Sequence, residues 1–298
     1  MILKKSGLTS LNSLRTVVLF PVDCNFVFKQ IGWKMMWNAE AVKTLAPEQY
    51  GSHKSHRATA LATNKSLTYN LMRQEATQHK GVVCLNDIKS CYDLFGHAQA
   101  SPAMQRMGIP HALVDCMFTT LQEAAHRVRT GYGDFTTSYR GKVWLIPIHG
   151  IGQGNGVGPA IWAVVSTPLL NILRVKGFEL EYATPISGLC IRYAGFAFVD
   201  DTDLLQMMSY GSTAEGARYK IHAAIDCWGG TLLAMSGAIV PEKTFWHLID
   251  YQWHLGSCGS MEGGYNKLRA LAQEWVEKMK QGKLNRAELW VALQSTIW

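Results

Sequence analysis

The chain has 298 residues, 48% of them hydrophobic and 17% charged, which suits one large or two ordinary folded domains and excludes a disordered polymer. No apolar run approaches the roughly 18–20 residues that span a bilayer, and seven cysteines without a C-x-x-C pair exclude a disulfide framework or zinc ribbon and favour a reducing, intracellular setting. The net charge of +7 falls wholly within residues 1–86, and residues 87–298 are neutral, so the N-terminal third is suited to a polyanionic partner such as nucleic acid.

Val17–Val22 follows Lys4, Lys5 and Arg15 with no acid before Asp23, the charge pattern of a transit segment, although Pro21 and Asp23 cut its apolar run short. Residues 58–79 carry Leu61, Leu67, Leu71 and Met72 at helical spacing. The short apolar run Val82–Leu85, bounded by Gly81 and Asn86, reads as a buried strand ending at Asp87. Pro110 opens a helix with Leu113, Met117 and Leu121 on one face. The stretch 127–148 suits strands and turns, and GIGQGNGVGPA then leads into an apolar helix that Pro168 is expected to kink. Residues 187–208 read as strand, tight turn and strand, with Asp200 and Asp201 at the turn. A helix over 213–228 should end at Gly229–Gly230, followed by Pro241 and an aromatic strand pair around Phe245–Trp253. Helical patterns over 265–280 and 284–298 follow, the second reaching Trp298 with no stop signal, as expected of a portion of something longer. The alternation makes the fold α+β.

Asp87 at a strand end and Asp200–Asp201 at a hairpin tip stand out. Carboxylates at strand ends can reach a metal without burying an unpaired charge. Three from neighbouring strands could hold two Mg²⁺ ions about 4 Å apart, one acidifying an attacking hydroxyl and the other neutralising a leaving pyrophosphate. An Asp–Asp pair alone more often serves a turn. Its surroundings change that reading: DIKSCYD places Tyr92 and Asp93 five and six residues after Asp87, and GQGNG, FVDD and PEK follow in order.

These segments resemble the reverse transcriptases of retroelements, most closely the non-LTR type. LNDIKSCYD resembles the first catalytic motif, GIGQGNGVGP the QG motif, FVDD the x-x-D-D motif, and AMSGAIVPEKTFW the following G-x-x-x-x-x-K segment. Upstream, PEQYGSHKSHRA is similar to the Q-x-G-F/S-R fingers motif and LRTVVLFPVDCNFVFKQ to the R-x-I element. Each motif alone is weak, but their shared order is specific.

The resemblance implies a right-hand polymerase: fingers over 1–80 with a leader at 1–13, palm with the remaining fingers elements over 81–250, and the start of a truncated thumb over 251–298. It implies RNA-directed DNA synthesis on an RNA or DNA template with primer and dNTPs, with no membrane involved. Asp87, Asp200 and Asp201 would hold two Mg²⁺ ions, with Mn²⁺ as the alternative. Tyr92 would exclude the 2′-hydroxyl of ribonucleotides by a clash. Gln153 and Gly154 would line the nascent base-pair pocket, and Lys243 would sit by the triphosphate and protonate pyrophosphate. Arg15, Lys54 and Arg57 are further candidates for gripping template and triphosphate. His53 stands where the fingers motif usually has Arg, which puts triphosphate affinity in doubt unless Lys54 takes over. Two alternatives stay open: an RNA-dependent RNA polymerase, against which Tyr92 and Val199 speak, and a non-catalytic nucleic-acid-binding remnant of a decayed element.

Overall fold

The computed structural model describes residues 17–54, 56–75, 79–141, 147–184 and 187–249, with 2–3, 14–15 and 273 besides; the side chains of 2–3, 14–15 and 74–75 lie outside the description. The chain divides into two compact units, Met1–Tyr251 and Gln252–Trp298. Apart from residue 273 the second lies outside the described residues, and with it Trp253, the helices expected over 265–280 and 284–298 and the expected start of a thumb.

In chain order the elements are β1 (Ile2–Leu3), β2 (Leu14–Arg15), α1 (Val22–Ala41), α2 (Ala58–Glu75), β3 (Gly81–Asp87), α3 (Cys91–Leu94), α4 (His97–Arg106), α5 (His111–Glu123), β4 (His126–Thr130), β5 (Gly133–Tyr139), α6 (Gly158–Val175), β6 (Leu180–Ala183), β7 (Cys190–Tyr193), β8 (Gly195–Phe198), β9 (Asp201–Met207), α7 (Ala214–Ala234) and β10 (Phe245–Ile249). The fold is mixed α/β. Its centre is a four-stranded sheet of order β10-β3-β9-β8, antiparallel throughout.

Alternation along the two central strands divides the core. Val82 and Cys84 of β3 and Leu204 of β9 join a large cluster with residues of α1, α4, α5, α6 and α7. Val83 and Leu205 face the other way, into a smaller cluster with Tyr50, Phe196 and Met72 of α2. Both faces of β3 and β9 are thus covered, which is why Val82–Leu85 reads as a continuous apolar run.

Several expectations are corrected. Leu113 is exposed, and the buried face of α5 is Val114, Met117, Phe118 and Leu121. Leu67 of α2 is exposed too. α7 does not stop at Gly229–Gly230. Burial of Trp228 and Leu232 on either side of those glycines offsets what they cost the helix, which continues to Ala234, and Ser236, just beyond its cap, has φ 65°. There Gly237 N–H bonds the Leu232 carbonyl at 2.7 Å and Ser236 N–H that of Leu233 at 2.9 Å, a Schellman closure. α6 carries Pro168 inside it and continues beyond it to Val175. It is also long and apolar enough to cross a membrane, contrary to the sequence estimate, but most of it is buried in the large cluster. α1 went unrecognised in the sequence: Phe28, Ile31, Met35, Met36 and Ala39 form its buried stripe.

Candidate active site

The strand register brings the carboxylates together. Asp87, the last residue of β3, is the direct cross-strand partner of Asp201, the first of β9. Such partners are about 4.5–5.5 Å apart at Cα and point to the same face. Asp200 lies in the two-residue turn between β8 and β9, its carbonyl accepting the Ile88 amide at 3.3 Å. A cavity of about 450 Å³ opens there, lined by Asp87, Asp200, Tyr92, Gln153, Gly154 and Lys243 among others. Six of the residues singled out in the sequence therefore share one hollow, with Asp201 directly across from Asp87.

The electrostatics match this crowding. The Asp201 carboxyl is raised above the ordinary carboxylate range by burial first, then by the charges of Asp200, Asp87 and Asp203, with Lys65 opposing. The Lys243 ammonium donates to Asp87 Oδ2, and that bond leads in holding its pKa up, Asp200 and Asp201 adding to it. Tyr92 is raised by burial and then by its Cys91 and Asp200 neighbours. Among the described residues no three His, Cys, Asp or Glu side chains form a metal-holding group by themselves. The donor chemistry nevertheless fits a hard divalent ion: one carboxylate already has a cationic partner, and another suffers from like charges. Mg²⁺ is usually held by only one or two carboxylates, with water and phosphate oxygens completing its shell.

The glycine-rich loop is shaped by φ values that L-residues rarely adopt: 72° at Gly152 and 109° at Gly154. A Cβ at Gly152 would meet the Val18 side chain, and one at Gly154 the Val18 carbonyl. The Val18 amide in turn donates to the Gln153 carbonyl at 2.6 Å, tying residues 17–18 to the cavity wall.

The hairpin turn is strained. Val199 has φ 59°, a left-handed conformation that costs a β-branched residue about 1–3 kcal/mol. It is held from both sides, by Gln49 Oε1 accepting its N–H at 3.1 Å and by Trp162 Nε1–H donating to its carbonyl at 2.5 Å. The sequence reading quoted Gln49 only as part of the fingers-motif segment, without this role, and did not single out Trp162, Lys65 or Tyr69. The last two fix Asp203, which accepts from Tyr69 Oη at 2.6 Å and pairs with Lys65 at 2.5 Å, a bracing role.

Other candidates stand apart. Lys54 is exposed and does not line the cavity; its backbone N–H donates to Glu40 Oε1 at 2.6 Å. His53 stacks on His56 at 4.0 Å, and burial, then His56, lowers its pKa. Arg57 is exposed, and the Arg15 side chain lies outside the described residues. A larger cavity, about 570 Å³, opens by Met207 at the opposite end of β9; its acids Glu179 and Glu181 pair with Arg192.

No protein-family model matches the chain, and no curated protein matches it. Solved structures similar to it include telomerases. A C-terminally truncated apo telomerase from Candida tropicalis is 13% identical over 78% of this chain and 41% of its own, with a TM-score of 0.47. The C. tropicalis telomerase in complex with a fragment of telomeric RNA is 12% identical over 78% and 34%, with a TM-score of 0.46. The corresponding Candida albicans complex is 11% identical over 76% and 34%, at 0.41. The chain thus spans about two fifths or less of the length of these telomerases. Similarity this low decides nothing about function, which has to be read from the site.

Proposed function

We propose that the chain is an RNA-directed DNA polymerase of the retroelement reverse-transcriptase type, adding dNTPs to a primer 3′-hydroxyl. The observation that carries this reading is the register pair Asp87–Asp201 with Asp200 in the adjoining turn, set on a cavity shared with Tyr92, the Gln153–Gly154 loop and Lys243. Phosphoryl transfer needs mainly positioning and charge neutralisation, and that short inventory suffices for it.

In this reading the sheet of β10, β3, β9 and β8 is the palm. Asp87, Asp200 and Asp201 would hold the divalent ions. When bound, Mg²⁺, or Mn²⁺ in its place, supplies the acidified hydroxyl and the neutralised phosphates. Lys243 Nζ stays protonated while it is bonded to Asp87. Released from Asp87, the ammonium group can meet a phosphate oxygen, neutralise its charge and donate a proton to it. Tyr92 narrows the cavity against a 2′-hydroxyl, and the backbone at Gln153–Gly154 lies open to a base pair.

A nucleic-acid partner is supported by the outer face of α1. Phe26, Trp33 and Trp37 lie exposed along one stripe with Val22, and Lys29 and Lys34, also exposed, flank it. Aromatic faces between cations suit stacked bases and phosphates. The stripe adjoins the cavity loop, since Lys29 lies against Gly156 and Asn25 Oδ1 accepts the Gly156 amide at 2.9 Å.

Primer extension on an RNA template, with dNTPs or rNTPs offered separately, tests the proposal. Mg²⁺-dependent use of dNTPs is expected. Use of rNTPs would indicate an RNA polymerase. Salt-sensitive binding of primer–template without extension would indicate a non-catalytic remnant.

A further inference from the structure

We propose that Gln49 and Trp162 are positioning residues that clamp the Val199 backbone, and thereby fix Asp200 at the mouth of the cavity. The inference rests on the polymerase reading for its consequence, though not for its geometry.

The Val199–Asp200 turn has only two residues, and its first is held at φ 59° without the freedom of glycine. Left alone, a β-branched residue relaxes out of that region, and the next side chain, Asp200, swings with it. Two polar side chains from outside the sheet oppose this. Gln49 is 1% exposed, and its amide makes three hydrogen bonds: Oε1 accepts from both Val199 N–H and Gly51 N–H, at 3.1 and 2.9 Å, and Nε2 donates to Ser166 Oγ at 3.2 Å. Trp162, on the neighbouring turn of the helix that carries Ser166, donates its indole N–H to the Val199 carbonyl at 2.5 Å. Both backbone polar groups of Val199 are therefore answered, each from a separate segment of the chain.

The clamp has its own anchorage. Residues 48–50 lie against β8: the Ala197 amide donates to the Glu48 carbonyl and the Tyr50 amide to the Ala197 carbonyl, each at 2.8 Å. Gly51 completes it, because a Cβ there would stand 2.8 Å from Val199 Cγ2 and 2.9 Å from its nitrogen. A buried glutamine with three bonds, placed two residues before an obligatory close approach, is more than filler. It transmits the position of the segment around residue 49 to the carboxylate turn.

The test uses the full chain carrying Gln49→Met, which keeps bulk and loses the acceptor, and Trp162→Phe, which keeps the ring and loses the donor. The first readout is amide hydrogen exchange at Val199, which needs no activity. Slow exchange in the parent and at least about tenfold faster exchange in Gln49→Met, with the β3 amides still protected, is expected. The second is the single-turnover rate of primer extension, expected to fall about tenfold or more in each variant while primer–template affinity stays. Val199→Gly, which tolerates the turn unaided, should restore part of that rate in the Gln49→Met background. An unprotected Val199 amide in the parent, or unchanged exchange in Gln49→Met, overturns the clamp. Normal rates in both variants, or no recovery with Val199→Gly, overturn its link to Asp200. A parent that does not extend primers defeats the polymerase reading alone, and exchange still judges the clamp.

Discussion

Asp87 and Asp201 face each other as the last register pair of β3 and β9, two acids set side by side with a third in the turn before them. A fold does not gather like charges at a strand end for stability. The raised pKa of Asp201 records the conflict.

Asp201→Asn should therefore stabilise the protein while abolishing extension. Its folded pKa lies above the unfolded value, so folding disfavours the ionised form, and the cost is present at neutral pH. It disappears as the pH falls below about 4, where the carboxyl is protonated in both states. The melting temperature of the Asn variant should exceed that of the parent by about 1–3 °C at pH 7, and the gap should close on acidification. A variant less stable at pH 7 would show that Asp201 has a bracing role instead.

Lys243→Ala should leave stability nearly unchanged, because the pair it forms with Asp87 involves a largely exposed lysine. The single-turnover rate should fall about 10²-fold or more if Nζ serves as acid, and Lys243→Arg, which keeps the charge but cannot give up its proton, should not restore it. Recovery with Arg would leave the group a charge-neutralising role only.

How much of this was legible from the residues varied with the kind of signal. β3 and the β8–β9 hairpin were readable because a short apolar run and an alternating pair each end on acids, and the register that joins Asp87 to Asp201 follows once those strands pair. α1 escaped because exposed Phe26, Trp33 and Trp37 hide its buried stripe from any test of amphipathicity. Gln49 was legible as part of the fingers-motif segment, but its contact with Val199, like that of Trp162, escaped for a different reason. Their roles lie in bonds to a turn more than 30 residues away, and neither spacing nor composition encodes such contacts. Leu113 and Leu67 were placed inward on hydrophobicity alone, yet apolar side chains on helix surfaces are ordinary.

Tyr92→Val should relax sugar discrimination. The ring lines the cavity and stands 3.6 Å from where a Cβ on Gly158 would be, so it is packed in place. Shortening it should raise the kcat/KM ratio of rNTP to dNTP by about tenfold or more. An unchanged ratio would remove Tyr92 from sugar selection.

Trp33→Ala and Trp37→Ala should each weaken binding of a single-stranded RNA by about 1–3 kcal/mol if a base stacks there. They should alter stability little, because the rings are 63% and 60% exposed. Fluorescence anisotropy with a labelled oligonucleotide at several salt concentrations reads both the loss and its ionic component. Unchanged affinity would assign that stripe to another partner.

The central claim is that Asp87, Asp200 and Asp201 grip a shared divalent ion. Mn²⁺ binding followed by electron paramagnetic resonance, with primer–template and a non-hydrolysable dNTP present, tests it most directly. Tight Mn²⁺ binding by the parent is expected, with clear loss in Asp87→Asn and Asp200→Asn despite retained primer–template affinity. Equal Mn²⁺ binding by the parent and both variants would contradict it.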